Sequence, residues 1–431
     1  MTLASLFSRA ASPAGVAVCK HPCKAAKAAD DQLSVAVQKR IESITGRPEP
    51  ANGKLATDDA PSLVSADSSA CDKKARTLGS TLRRFNRYRD ALPYARAADD
   101  MNKLGDQPGS TPTKAQCLTR LPDKGEALCA ALGLKRGTIT DRGLSDDETG
   151  FRAAMYRDDT TGKLILVARD TEPTSLVDWQ TNTRNGDGQD TDQYAAMRKL
   201  SSRLTDNKVP FDIAGYSKGG GLAQEAALVD QDAKAYVFNG AGLHPNSLLR
   251  TGNTDFSSLE SRTQAFSSEN DFLTYMNQTT SPDQQIANVK FLRRELAGEN
   301  RNTYGISKFA PMKIDHRNPA MPDGAEDAGF IEDKSTYLDE LDQKIANMEA
   351  DRVAGLPLSA FPPVRAGQQE TIPDSLSKAG KWFGADKDGP NLGKLAQHQM
   401  DNVLGPMQGN VEKDRTALSD FIARCGLGSG Q

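Results

Sequence analysis

Apolar positions along this chain follow three regimes. Between Asp31 and Gly46, Leu33, Val37, Ile41 and Ile44 recur on one helical face and Gly46 ends the run, which predicts an amphipathic helix. A second helix is predicted to start near Ser80, with Leu82, Phe85, Tyr88 and Leu92 as its stripe. The segment joining them, "RPEPANGKLATDDAPSLVSADSSA", is rich in Pro, Ala, Ser and Asp and reads as a linker. From about Gly150 short apolar runs take over: "KLILVARD" (163–170), "VPFDIAGYS" (209–217), "KAYVFNGAG" (234–242) and a weaker "RTQAFSSEND" (262–271). Helix-compatible stretches such as "TDQYAAMRKLSSRL" and "GLAQEAALVDQ" lie between them. Strands alternating with helices predict a mostly parallel sheet flanked by helices on both faces. After Ser281, an N-cap followed by Pro282 at the first helical position, isolated amphipathic helices return. One of them places Leu338, Leu341, Ile345 and Met348 on a single stripe and stops at Gly355.

A chain of 431 residues exceeds one typical core. The pattern divides it into a helical and linker region at 1–145, with a flexible leader over 1–30, and an α/β core at 146–280. A helical lid or insertion follows at 281–390, and a return to the core with a C-terminal helix at 391–431. No chemistry is legible in the N-terminal third, which reads as a helical scaffold or a docking segment. Lys and Arg total 54 against 57 Asp and Glu, a net charge of -3, so there is no basic field to favour nucleic acid. No apolar run reaches the ~18 residues of a membrane span. At the N-terminus Ser8, Arg9, Ser12 and Pro13 interrupt any signal-peptide core. The expectation is a soluble protein that, if exported, leaves by a specialised route.

Six cysteines are present, at 19, 23, 71, 117, 129 and 425. Cys19 and Cys23 flank His21, but no second cluster completes a four-ligand metal site. Free thiols, or a disulfide between Cys117 and Cys129, are the expectation.

The informative stretch is "FDIAGYSKGGGLAQEAAL". Gly215-Tyr216-Ser217-Lys218-Gly219 fits G-x-S-x-G, with an apolar strand before it and a helix after it. Such a turn exposes a serine hydroxyl at the carboxyl end of a sheet. It also points the next backbone N–H, that of Lys218, at the oxygen of an acyl substrate, where the helix N-terminus favours negative charge. The run of glycines lacks the G-x-x-x-x-G-K-[ST] spacing of a phosphate loop.

"AGYSKGGGLAQEAAL", "AYVFNGAGL" and "LILVARDTEPTSLVDWQTN" resemble bacterial relatives of the class 3 lipases, α/β-hydrolases with esterase and phospholipase members. The resemblance covers roughly residues 150–280 and a short piece near 398. It implies an α/β-hydrolase-like fold, with Thr171 as a second oxyanion-hole donor. Asp170 stands where the family carries glycine.

A serine nucleophile needs a histidine base and a carboxylate, in the chain order Ser, acid, base in this fold. Asp271 ends the fourth strand, where the family carries its acid; Glu269 and Asp255 are rivals. Of the four histidines, His21 and His244 precede that acid, leaving His398 and His316. His398, with Met400, Val403 and Leu404 behind it, matches the family's H-x-[ML]-x-x-[YV]-[LI] stretch. His316, followed by Arg317 and Pro319, reads as an exposed loop and is the alternative base.

The resulting expectation is a serine ester hydrolase of the lipase or phospholipase A type, using Ser217, Asp271 and His398. It needs no metal or organic cofactor and acts on lipid at a membrane surface. The extra N-terminal third suits a secreted bacterial effector with a secretion-apparatus or immunity-type partner. An intracellular small-ester esterase and a non-catalytic hydrolase-fold binding protein are the alternatives.

Overall fold

The computed structural model describes residues 22–46, 70–106, 117–122, 125–140, 144–146, 148–172, 175–253, 256–278, 281–297, 326–355, 366–382 and 384–425. Among the described residues eight strands form one sheet: β1 (Leu118–Arg120), β2 (Ser145–Asp146), β3 (Phe151–Asp158), β4 (Leu164–Ala168), β5 (Phe211–Tyr216), β6 (Ala235–Phe238), β7 (Thr263–Ser268) and β8 (Gln368–Ile372). Their order is β1-β3-β4-β5-β6-β7-β8, with β2 paired to β3 off this path. Strands β4 to β8 are parallel, while β1, β2 and β4 each pair with β3 antiparallel. This mostly parallel sheet flanked by helices is an α/β-hydrolase-like fold.

Strand β4 shows how the sheet divides the core. Leu164, Leu166 and Ala168 join one buried cluster, and Ile165 and Val167 join another. Both faces are covered, so the strand reads as an unbroken apolar run rather than an alternating one.

The helices, in chain order, are α1 (Pro22–Thr45), α2 (Ala70–Asp106), α3 (Gly125–Leu132), α4 (Leu176–Gly186), α5 (Asp192–Asp206), α6 (Lys218–Val229), α7 (Pro245–Thr251), α8 (Phe256–Arg262), α9 (Phe272–Gln278), α10 (Pro282–Ala297), α11 (Glu326–Val353), α12 (Lys378–Trp382), α13 (Leu392–Gln397) and α14 (Asp401–Cys425). Tyr194, Met197 and Leu200 of α5 and Leu222 and Ala226 of α6 cover one face of the sheet. Phe85, Tyr88 and Ala95 of α2 and Val403, Met407 and Phe421 of α14 cover the other. Helix α1 lies against α2 and α14. The N-terminal helices thus form one layer of the hydrolase core. Arg84 forks onto Asp414 between α2 and α14, with Nε 2.8 Å from Oδ2. Arg415 does the same with Asp30 of α1 at 2.8 and 2.9 Å.

Several expectations are corrected here. Cys117 pairs with Cys23, not Cys129, and Cys71 pairs with Cys425; Cys129 is a buried free thiol. Spacing misleads because partners 94 and 354 residues apart meet only once the helical layer docks. Cys23 is thereby unavailable to a metal, and Cys19 and His21 lie outside the described residues. Helix α2 begins at Ala70 rather than near Ser80. Its first turns continue the stripe backwards through Leu78 and Ala75, both buried in the core, to Cys71, which is tied to Cys425. The segment 281–390, expected as helices and loops, contributes strand β8 to the sheet beside β7. Its helices α10 and α11 pack through Ile286, Val289, Tyr337, Leu341 and Met348, against Trp179 of α4. Among the described residues no helix is long and apolar enough to cross a membrane.

Candidate active site

Strand β5 runs straight into helix α6 at Ser217, which has no room for an ordinary turn. Its backbone sits at φ 55° and ψ -124°, a conformation costing about 1–3 kcal/mol in a non-glycine residue. The flanking glycines make the turn possible. A Cβ at Gly215 would lie 2.0 Å from the Gly219 carbonyl oxygen, and one at Gly219 would lie 2.4 Å from that of Ala168. The strain delivers the Ser217 hydroxyl to the carboxyl end of the sheet.

There it meets His398, the C-cap of α13. His398 Nε2 is 2.9 Å from Ser217 Oγ, and His398 Nδ1 is 2.5 Å from Asp271 Oδ1. A carboxylate only accepts, so Nδ1 carries the proton and Nε2 is left to accept from the serine. Asp271 follows β7 and is wholly buried; its other oxygen accepts the Thr274 backbone N–H and hydroxyl, both at 2.7 Å. The imidazole keeps 15% of its side chain exposed, so the row of contacts runs from a closed carboxylate to an open edge.

His398 is held through its backbone. Tyr216 Oη and Asn239 Nδ2 both donate to the His398 carbonyl, and Ser268 Oγ donates to that of Gln397 at 2.8 Å. Asn239 Oδ1 also accepts the Ser268 N–H at 2.8 Å, which joins the ends of β6 and β7 to the histidine. Sequence reasoning misses Asn239, Thr274 and Tyr216 in these supporting roles. The only signal is an asparagine interrupting the strand end "VFNGAG".

Lys218 opens α6, so its backbone N–H belongs to the first turn and has no intrahelical acceptor. Thr171 lies on the loop after β4, where its Oγ1 accepts from Asn182 Nδ2 at 2.9 Å. The neighbouring Asp170 is tied to the N-terminal layer: the Asn102 amide nitrogen, turned to donate, lies 2.8 and 2.7 Å from its two oxygens. Burial pushes the Asp170 carboxyl up to about 7, against the pull of Arg169, Lys218 and His398.

The rivals do not join this group. His244 caps α7 by accepting the Asn246 N–H, and the Glu269 N–H donates to Ser375 Oγ. His316 and Asp255 lie outside the described residues. Among the described residues no group of three or more His, Cys, Asp or Glu is arranged to hold a metal ion.

Known proteins carry related sequences. The extracellular phospholipase A1 of Serratia liquefaciens is 31% identical over 186 residues, 41% of this chain and 54% of that protein, so the match spans about half of the relative's length. Two propeptide complexes of Rhizomucor miehei lipase, the native one and a deletion mutant, align over 45% of this chain. They cover 63% and 62% of those chains, at 14% and 13% identity and a TM-score of 0.28. The fold follows from the strand order above, not from those superpositions. The profile of the Tle-like phospholipase domain matches residues 94–310, from within α2 across Ser217 and Asp271, and half of the whole length. The chain therefore belongs to the Tle-like phospholipase family.

Proposed function

We propose that the protein is a serine hydrolase of lipid carboxylic esters, a phospholipase of the A type working through an acyl-enzyme. One observation carries this reading: the His398 ring bridges Ser217 Oγ and the Asp271 carboxylate, at 2.9 and 2.5 Å. Ser217 attacks the acyl carbonyl as His398 Nε2 takes its proton. Asp271 holds the ring and stabilises the imidazolium. The N–H groups of Lys218 and Thr171 receive the oxyanion, each such donor being worth about 3 kcal/mol at the transition state. His398 then protonates the departing alkoxide, the lysolipid, and activates water to release the fatty acid. A non-catalytic scaffold has no use for a buried carboxylate aligned with a histidine at a strained serine.

Phospholipid as substrate is supported by the family and by the Serratia relative's name. Helices α10 and α11 are read as a lid, because they form their own small core on Trp179, next to the Thr171 loop. The two disulfides support work in an oxidising compartment, outside the cytosol.

The test is incubation with mixed phospholipid vesicles and mass analysis of the products. Fatty acid and lysophospholipid are expected from wild type and neither from Ser217→Ala. Release of a phosphorylated headgroup, or of nothing, contradicts the proposal.

A further inference from the structure

The residue after the nucleophile in G-x-S-x-G is free to vary, and here it is a lysine whose side chain never reaches solvent. Lys218 is 2% exposed and its Nζ lies 2.6 Å from Asp178 Oδ1, itself 3% exposed. A third buried member completes the cluster. Gln193 Oε1 accepts from Lys218 Nζ at 2.7 Å, while Gln193 Nε2 donates to Asp178 Oδ1 at 2.5 Å and to the Thr149 carbonyl at 2.8 Å. Gly150 leaves the space: a Cβ there would sit 3.1 Å from both Asp178 Oδ1 and Gln193 Nε2.

Taking two charges out of water costs several kcal/mol per ion before their attraction is counted, and an apolar pair often packs as stably. Stability alone is therefore a poor reason for the pair. Its connections give a better one. The second oxygen of Asp178 accepts the backbone N–H of Glu172 at 2.7 Å. That bond fixes the peptide joining Thr171 to Glu172, and with it the direction of the Thr171 backbone. Asp178 lies in the first turn of α4, and its own N–H donates to Ser175 Oγ at 3.3 Å, so the far end of the same loop is anchored as well. Without these bonds the loop has no regular ladder of its own, while an oxyanion donor misplaced by about 1 Å loses roughly 100-fold in rate.

We propose that the Lys218 side chain is a positioning residue. Through Asp178 it fixes the Thr171 loop, so that one residue gives an oxyanion donor from its backbone and aligns the second donor with its ammonium group. The inference rests on the serine-hydrolase reading above. Buried against Asp178 and Gln193, the ammonium is not one of the reacting groups; it acts by holding Asp178 in place.

The experiment uses the full-length protein, a soluble chromogenic short-chain ester and an alkyl boronic acid, which forms a tetrahedral adduct with the serine. Lys218→Met and Asp178→Asn should each lower kcat about 10- to 100-fold while KM stays within about twofold. Boronate affinity should fall in parallel with kcat. The double variant Lys218→Met/Asp178→Asn leaves no unpaired buried charge and so keeps the fold; it should show the same loss as either single variant, not their product. Thermal melting is followed for each. Folded variants with wild-type kcat overturn the inference alone, provided wild type is active and Ser217→Ala is not. So does a loss carried equally by KM. An inert wild type, or an active Ser217→Ala, overturns the serine reading and this inference with it.

Discussion

Tyr216 and His398 are joined twice, by the bond from the Tyr216 hydroxyl to the His398 carbonyl and by stacked rings whose centroids lie 5.3 Å apart. The residue that precedes Ser217 therefore also holds His398. One strand end sets both partners of the proposed proton transfer, although 181 residues separate Ser217 from His398. Tyr216→Phe keeps the ring and removes only the bond. We expect kcat to fall about tenfold with KM nearly unchanged, and a stability loss near the ~1 kcal/mol of one hydrogen bond. Steady-state kinetics together with denaturant titration checks both. A wild-type kcat in a folded variant means that Asn239 alone suffices to hold the histidine.

Asp170 gives a dependence of stability on pH. Its carboxyl is raised from 3.8 to about 7 in the folded state, so the native protein holds a proton that the unfolded chain releases near pH 4. The stabilisation is complete below the unfolded value and declines as pH rises to about 7, above which it is gone. Asp170→Asn keeps an acceptor for Asn102 and cannot ionise. Its advantage in melting temperature over wild type should therefore be absent near pH 4, grow between pH 4 and 7, and level off above. Parallel curves for the two proteins across that range contradict the assignment.

One disulfide joins the start of α1 to the segment before β1, and the other ties the start of α2 to the end of α14 within the helical layer. Cys71–Cys425 closes a loop of 354 residues and Cys23–Cys117 one of 94. Each is expected to contribute roughly 2–4 kcal/mol, chiefly by restricting the unfolded chain. The variant Cys71→Ser/Cys425→Ser should melt several degrees lower, and alkylation without reduction should spare Cys23, Cys71, Cys117 and Cys425. Alkylation of those four in the native protein contradicts both pairings.

The strand-to-helix turn was legible because several local signals agree around Ser217: the strand "FDIAGY", the glycines that let strand and helix touch, and the helix that follows. That Asp271 and His398 meet at Ser217 was legible only through chain order and family pattern, since nothing local distinguishes a carboxylate that faces a histidine from a loop cap. Strand β8 was missed because "QQETI" carries one apolar residue that ends in the core, Ile372, while Glu370 pairs with Arg87 of α2 at the sheet edge. Strand β3 was missed for a related reason: Arg152 and Arg157 break the apolar run of "FRAAMYRD". The cysteine pairs and the Lys218–Asp178 clamp depend on distant segments meeting, which no spacing encodes. In sequence Lys218 looks like a surface residue beside the serine; only the space behind Gly150 shows otherwise.

The most direct measurement is covalent labelling with a fluorophosphonate, read as intact mass, adduct site and rate for wild type, Ser217→Ala, His398→Ala and His316→Ala. We expect one adduct on wild type, located at Ser217, and none on Ser217→Ala. The rate should drop by about 10³-fold or more in His398→Ala, because the members of such a relay act as a unit. His316→Ala should label within a few-fold of wild type. An adduct on another serine, or a His398→Ala that labels at the wild-type rate while His316→Ala does not, contradicts the proposed chemistry.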